Sequence, residues 1–255
     1  MNKNISICLL CFTLFLLTKN SHALNYNLLE INQLPIDTIF TDDFSTEDLN
    51  RWNNTNDWTI ADSLLKHNLS NTEGTSLIYN HLTDSLFYLG TTTWRISLKS
   101  DFDASSSNKF WYWLMASDSL LSTSKTNGYA IGVCISGTAK NVSLYRIEGS
   151  KKTALCTLDY EWQKNTWVDL IIERQPKGIW QVECRPTTGG TIVSDSFSDN
   201  AYNDFSHHGL YFTYSKTRAG LLYADNISIT RQLAPINLIR SEERRVGKEC
   251  RSRWS

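Results

Sequence analysis

From Thr41 onward, apolar and polar residues alternate with a period of two and show no three-to-four spacing. This is the signature of strands that bury one face. In Thr93-Trp94-Arg95-Ile96-Ser97-Leu98-Lys99, Trp94, Ile96 and Leu98 share one side, and Arg95, Ser97 and Lys99 share the other. Comparable β-branched and aromatic runs occur at 109–115, 129–135, 142–147, 167–174, 179–185, 210–214 and 221–230. They are broken at Asn127-Gly128, Gly149-Ser150, Pro176-Lys177-Gly178 and Gly189-Gly190, residue types that accept positive φ or fix φ where a chain reverses. Strands at this spacing predict an all-β fold, a two-sheet antiparallel sandwich of jelly-roll type. Neither an internal repeat nor a low-complexity linker interrupts it.

The two ends follow other rules. Residues 1–23 combine Lys3, an apolar run from Ile5 to Leu17 and the small residues Ser21 and Ala23 flanking His22, the layout of a cleaved export signal, too short to span a bilayer comfortably. The apolar run continues past Cys11, which argues against a lipidated cysteine. The mature protein is therefore expected outside the cell or at its surface, with no membrane span after signal removal. Residues 240–255 (RSEERRVGKECRSRWS) resemble the in-frame translation of a short-read sequencing adapter, so the native segment is expected to run from Leu24 to Ile239. On this reading, 24–40 is a leader, either an extra edge strand or a tether. Residues 41–230 form the sandwich, and 231–239 begin a linker to downstream domains missing from this chain.

Setting both ends aside changes the charge balance. The whole chain carries 25 basic and 26 acidic residues; without 1–23 (two basic) and 240–255 (six basic, three acidic) these become 17 and 23, a net charge of −6. An acidic surface disfavours nucleic acid as a partner. Cys134, Cys156 and Cys184 remain. Their odd number and the lack of metal-binding spacing fit small buried core residues or one disulfide with a free thiol.

Asp42-Asp43-Phe44, Trp58 and Ile60, the 105–108 loop feeding a strand that ends Leu114-Met115, Asn127-Gly128-Tyr129, Val142 to Arg146 and Tyr223 to Ile229 together resemble the concanavalin A-like lectin/glucanase superfamily. More narrowly, they resemble the laminin-G-like N-terminal domain of large exported proteins from gliding-type gram-negative bacteria. The resemblance covers about 41–230. It implies architecture more than chemistry, and in such proteins a lamin-tail or immunoglobulin-like module often follows.

Three kinds of site can be weighed on that fold. Glucanases of this shape carry carboxylates on alternate residues of one strand, so that acid and nucleophile face one cleft about 5 Å apart. The nearest approach is Asp159 with Glu161, read as a loop without a third carboxylate in register. His207-His208 before Gly209 reads as a solvated turn. Catalysis is therefore not expected. Phe110-Trp111-Tyr112-Trp113 puts aromatics on both faces of one strand: Phe110 and Tyr112 would fill the core, while Trp111 and Trp113 form an outer platform for a sugar ring, unless a loop or a further domain covers them. An exposed platform predicts that Trp111→Ala or Trp113→Ala costs about 1–3 kcal/mol of affinity with little loss of stability. The resemblance also implies pairing of first and last strands, where Asp42 or Asp43 and Asp225 could hold a structural calcium; no organic cofactor is implied. Asp62-Ser63-Leu64, Asp84-Ser85-Leu86 and Asp118-Ser119-Leu120 resemble an O-glycosylation acceptor motif of the same bacterial group. The functional expectation is a secreted, non-catalytic lectin-like module that binds polysaccharide or another glycan, with a glycoside hydrolase or a ligandless spacer as alternatives.

Overall fold

The computed structural model describes residues 35–83, 87–121 and 124–233. The expected export signal, the segment 240–255 and Asp84-Ser85-Leu86 lie outside the described residues. Fourteen strands account for most of what is described: β1 (Ile36–Asp42), β2 (Trp58–Ala61), β3 (Leu64–His67), β4 (Gly74–His81), β5 (Gly90–Ser100), β6 (Lys109–Ala116), β7 (Asn127–Val133), β8 (Asn141–Glu148), β9 (Lys151–Glu161), β10 (Val168–Gln175), β11 (Ile179–Pro186), β12 (Val193–Ser198), β13 (His207–Tyr214) and β14 (Leu222–Leu233). No α-helix occurs among the described residues. One sheet runs β12-β11-β10-β5-β14-β3-β2, with β1 also on β14; the other runs β4-β13-β6-β7-β8-β9. This is the expected two-sheet antiparallel sandwich.

Alternation builds the core as anticipated. Trp94, Ile96 and Leu98 of β5 are buried, as are Leu170 and Ile172 of β10, Trp180 and Val182 of β11 and Ile227 and Ile229 of β14. They meet Phe110, Tyr112 and Leu114 of β6 and Leu210 and Phe212 of β13 in one cluster, each large apolar side chain contributing about 1.5–3 kcal/mol by leaving water. Cys134, Cys156 and Cys184 are free and buried, and burial raises the Cys156 and Cys184 thiols to about 12.

The leader is partly a strand. β1 begins at Ile36 and pairs with the second half of β14, from Ile36 opposite Gln232 to Asp42 opposite Ile227. The first half of β14 pairs instead with β3, Tyr223 opposite Lys66 and Ala224 opposite Leu65. The changeover falls at Asp225-Asn226, where Asn226 adopts φ 50°, a left-handed conformation that asparagine tolerates better than most residues. Other turns follow the sequence: Gly149 (φ 60°) joins β8 to β9, and Lys177 (φ 69°) with Gly178 (φ 75°) joins β10 to β11. Asn127-Gly128 opens β7 instead of breaking the chain.

Two expectations are corrected. Asp159 and Glu161 lie on strand β9, not in a loop; the two-residue alternation exposes both while Leu158 is buried. His207 and His208 lie on β13, not at a solvated turn, and alternation drives His208 inward until it is fully buried.

Candidate functional site

The outer face of the six-stranded sheet carries the two expected ligand-binding tryptophans. Register places Leu77 of β4, Tyr211 of β13, Trp111 of β6 and Gly132 of β7 in one row, and Tyr79, Gly209, Trp113 and Ala130 in the next. Trp111 and Trp113 point away from the core, as alternation requires, yet neither is open to solvent: both are 0% exposed. Trp111 stacks on Tyr211 (ring centres 4.0 Å apart, planes 10° from parallel), and the Lys152 ammonium lies over the ring at 5.3 Å. Leu121, Ile135 and Ile147 close a second apolar cluster around the pair. The rings are therefore packed by their neighbours and do not form a bare platform. Both indole N–H groups lack hydrogen-bond partners among the described residues, while Tyr79, Tyr145 and Tyr211 remain half-buried on the same face. Gly209 has no room for a side chain, since a Cβ there would come 2.1 Å from the Ile78 carbonyl.

Inside the sandwich two histidines are buried without charge. Gly220 N–H donates to His67 Nδ1 (2.9 Å), so Nε2 carries the ring's proton and donates to Ser76 Oγ (2.9 Å). Ser76 in turn donates to Asp57 (2.6 Å) and accepts from Tyr214 (3.0 Å). A histidine, a serine and an aspartate thus meet, but the serine proton goes to the aspartate, and Ser76 is only 1% exposed. The order is wrong for a nucleophile, which must give its proton to histidine and face a substrate. This trio ties β3 to β4, β13 and the loop before β14. Burial lowers His67 to about 4 against a smaller opposing pull from Asp57. His208 shares a hydrogen bond with Tyr112 and packs edge-on against Phe40 and Trp52; burial, with help from His207 and Arg51, lowers it to about 3.

A cleft of about 410 Å³ crosses the outer face of the eight-stranded sheet. Its floor is made of short polar side chains on neighbouring strands: Thr41 of β1 opposite Ser228 of β14, and Ser97 of β5 opposite Asp169 of β10. Arg95 and Arg185 stand above that floor, with Asp43 and Asn226 at the changeover end. Asp169 accepts from Ser97 (2.6 Å), and Arg185 Nε is held by Glu183. Arg95 is exposed and takes no partner among the described residues. Sequence reasoning saw Arg95 and Ser97 only as the wet side of a strand, since a trough appears only when five strands are placed side by side.

The expected calcium residues end beside this cleft. Asp43 is exposed, and hydrogen bonds from Ser45 hold its carboxyl below the usual range. Asp225 is raised by burial and further by Asp43, Asp169 and Asp42, so strand pairing does bring Asp43 and Asp225 within electrostatic reach. Calcium takes six to eight oxygens. Here Asp225 is occupied by the Asn226 amide and side chain (2.7 and 2.9 Å), and Asp42 by Phe44 N–H and Trp52 Nε1–H (2.9 and 2.7 Å). Among the described residues, no three His, Cys, Asp or Glu side chains are grouped so as to hold a metal ion.

By sequence, no family model and no curated protein matches the chain. Solved structures match in fold. The CBM2 module of the evolved Dit of Lactobacillus casei BL23 phage J-1 superposes with a TM-score of 0.57 at 6% identity, over 79% of this chain and 98% of that one. The exoplasmic/lumenal domain of VIP36 in its Ca²⁺/Man3GlcNAc-bound form gives 0.56 at 12%, over 78% and 90%. The metal-free carbohydrate recognition domain of Emp46p gives 0.54 at 12%, over 75% and 94%. The chain thus has the fold of these lectin-type sandwiches.

Proposed function

We propose that the chain is a non-catalytic saccharide-binding module of an exported protein, and that the cleft across the eight-stranded sheet is where a glycan sits. The cleft itself carries this reading. Its volume falls within the roughly 300–1,000 Å³ of small-ligand sites, and hydroxyl, carboxylate, amide and guanidinium groups line it together. Two arginines against three aspartates leave that lining close to neutral, which suits vicinal hydroxyls better than phosphate. Support also comes from the fold, shared with a carbohydrate recognition domain and with a domain seen bound to Man3GlcNAc. The absence of chemistry has its own support. Asp159 and Glu161 stand exposed on an outer strand, Glu161 facing Lys140 at 3.7 Å, and nothing encloses them as an acid–nucleophile pair would require.

On a glycan array spanning neutral plant, fungal and bacterial polysaccharides, the full chain is expected to bind at least one, and Arg95→Ala to weaken that binding about tenfold, or 1.4 kcal/mol. Silence on every glycan would favour a spacer. Unchanged affinity in Arg95→Ala would move the site elsewhere, and release of reducing ends would restore the hydrolase reading.

The unpartnered indoles favour a second placement, on the other sheet. There Trp111 and Trp113 would act from beneath, holding Tyr211 and Tyr79 for a sugar, and Tyr211→Ala would abolish binding that Arg95→Ala spares. A calcium ion at Asp43 and Asp225 is a separate question. About 1 mM Ca²⁺ is expected to leave Tm within a degree of its value in chelator; a rise of several degrees that Asp225→Asn removes would establish the ion.

A further inference from the structure

One end of the six-stranded sheet carries histidine chemistry that saccharide binding does not use. His81 of β4 and His207 of β13 are directly opposite each other, and both lie on the outer face, in the row beyond Tyr79 and Trp113. Their ring centres are 4.8 Å apart and their planes are inclined by 60°. His81 is exposed, whereas His207 is half-buried, with an Nδ1 that is sealed from solvent and has no hydrogen-bond partner among the described residues.

We propose that His81 and His207 together bind one borderline divalent cation of the Zn²⁺, Ni²⁺ or Cu²⁺ class. The spacing supports chelation. A metal about 2.0–2.1 Å from one nitrogen of each ring lies roughly 3.2 Å from each ring centre, so angles between octahedral and tetrahedral separate the centres by about 4.5–5.2 Å. The observed 4.8 Å between ring centres falls inside that window. Imidazole suits these metals, and oxygen-seeking Ca²⁺ has no preference for it. Burial and the neighbouring His81 lower His207 from its ordinary value, against smaller pulls from Asp118 and from a hydrogen bond with the Ala116 backbone. The Asp118 carboxylate accepts hydrogen bonds from Leu120 N–H and from the Thr126 and Ser117 hydroxyls. It therefore supplies negative charge nearby without serving as a third ligand. Two protein ligands leave the remaining positions to solvent, so the site is expected to be reversible and open at the domain surface. This inference does not depend on where, or whether, a glycan binds.

Titration of the full chain with Zn²⁺ alone at neutral pH, followed by calorimetry, is expected to show one ion per chain. His81→Ala and His207→Ala should each weaken it at least tenfold. His81 is exposed at the end of β4, so its variant should keep the wild-type circular dichroism spectrum and report on binding alone. The histidine proton signals identify the ligands directly: a trace of Ni²⁺ should broaden those of His81 and His207 and spare His67 and His208, which are buried in the sandwich. Absence of Zn²⁺ binding, full affinity in His81→Ala, or broadening confined to other histidines would each overturn the assignment.

Discussion

Acidification from pH 7 to pH 5 is expected to cost the domain about 4 kcal/mol of stability, most of it through His67 and His208. Both rings are fully buried, and burial, the largest cause in each case, holds them at about 4 and about 3. The unfolded chain takes up protons at its ordinary value of about 6.5, well before the folded chain can. The folded state therefore has its full advantage above that value. It loses about 1.4 kcal/mol per histidine for each unit below it, until the folded rings titrate in turn. At pH 5 that amounts to about 2 kcal/mol for each ring. Urea denaturation at the two pH values measures the difference, and His67→Gln or His208→Gln, each less stable at pH 7, should show roughly half the wild-type pH slope. Equal unfolding midpoints at pH 7 and pH 5 would mean that the folded rings take up protons as readily as the unfolded chain does.

These histidines also show where sequence reading stops. A two-residue period tells which residues of a strand share a face, and it placed Trp94, Ile96 and Leu98 inward correctly because β5 is long and its pattern is clean. It cannot tell what covers the opposite face. β6 is buried along nearly its whole length because residues outside the strand, Leu121, Ile135 and Ile147, close over its outer side. A run such as His207-His208-Gly209 looks like a turn by composition. It becomes a strand because Tyr112, Phe40 and Trp52, all remote in the chain, offer His208 a buried setting. β12 was missed for another reason: in Val193-Ser-Asp-Ser-Phe-Ser only Val193 and Phe197 are apolar, with Asp195 between them on the same face, as an edge strand can have, and so weak an alternation does not mark it. The cleft depended on the same non-local information, since Thr41, Ser228, Ser97 and Asp169 come from four strands scattered along the sequence. The pairing of β1 with β14 was the one long-range contact anticipated, and that came from a resemblance and not from the residues' own period.

Trp111→Ala should therefore act on stability first. An exposed aromatic platform would tolerate the change within about 0.5 kcal/mol of folding free energy, and its loss would appear only in ligand affinity. A fully buried tryptophan truncated to alanine instead loses its transfer free energy and leaves a cavity, about 3–5 kcal/mol together. Trp111 fits the second case: it is 0% exposed, stacked on Tyr211 and covered by Lys152. Part of that cost is offset because its N–H has no partner to lose, which places the expected value nearer 3 than 5 kcal/mol. Trp111→Phe, which keeps an aromatic face against Tyr211 and removes the unpartnered donor, should recover most of the loss. Chemical denaturation of the three proteins, read beside their glycan affinities, separates a packing role for the ring from direct contact with a ligand. If Trp111→Ala unfolds several kcal/mol more easily while Trp111→Phe is stable and binds as wild type does, the indole is a packing element, and Arg95→Ala against Tyr211→Ala decides which sheet holds the ligand. If Trp111→Ala is as stable as wild type and loses its glycan, the ring is open in solution and the outer face of the six-stranded sheet is the site.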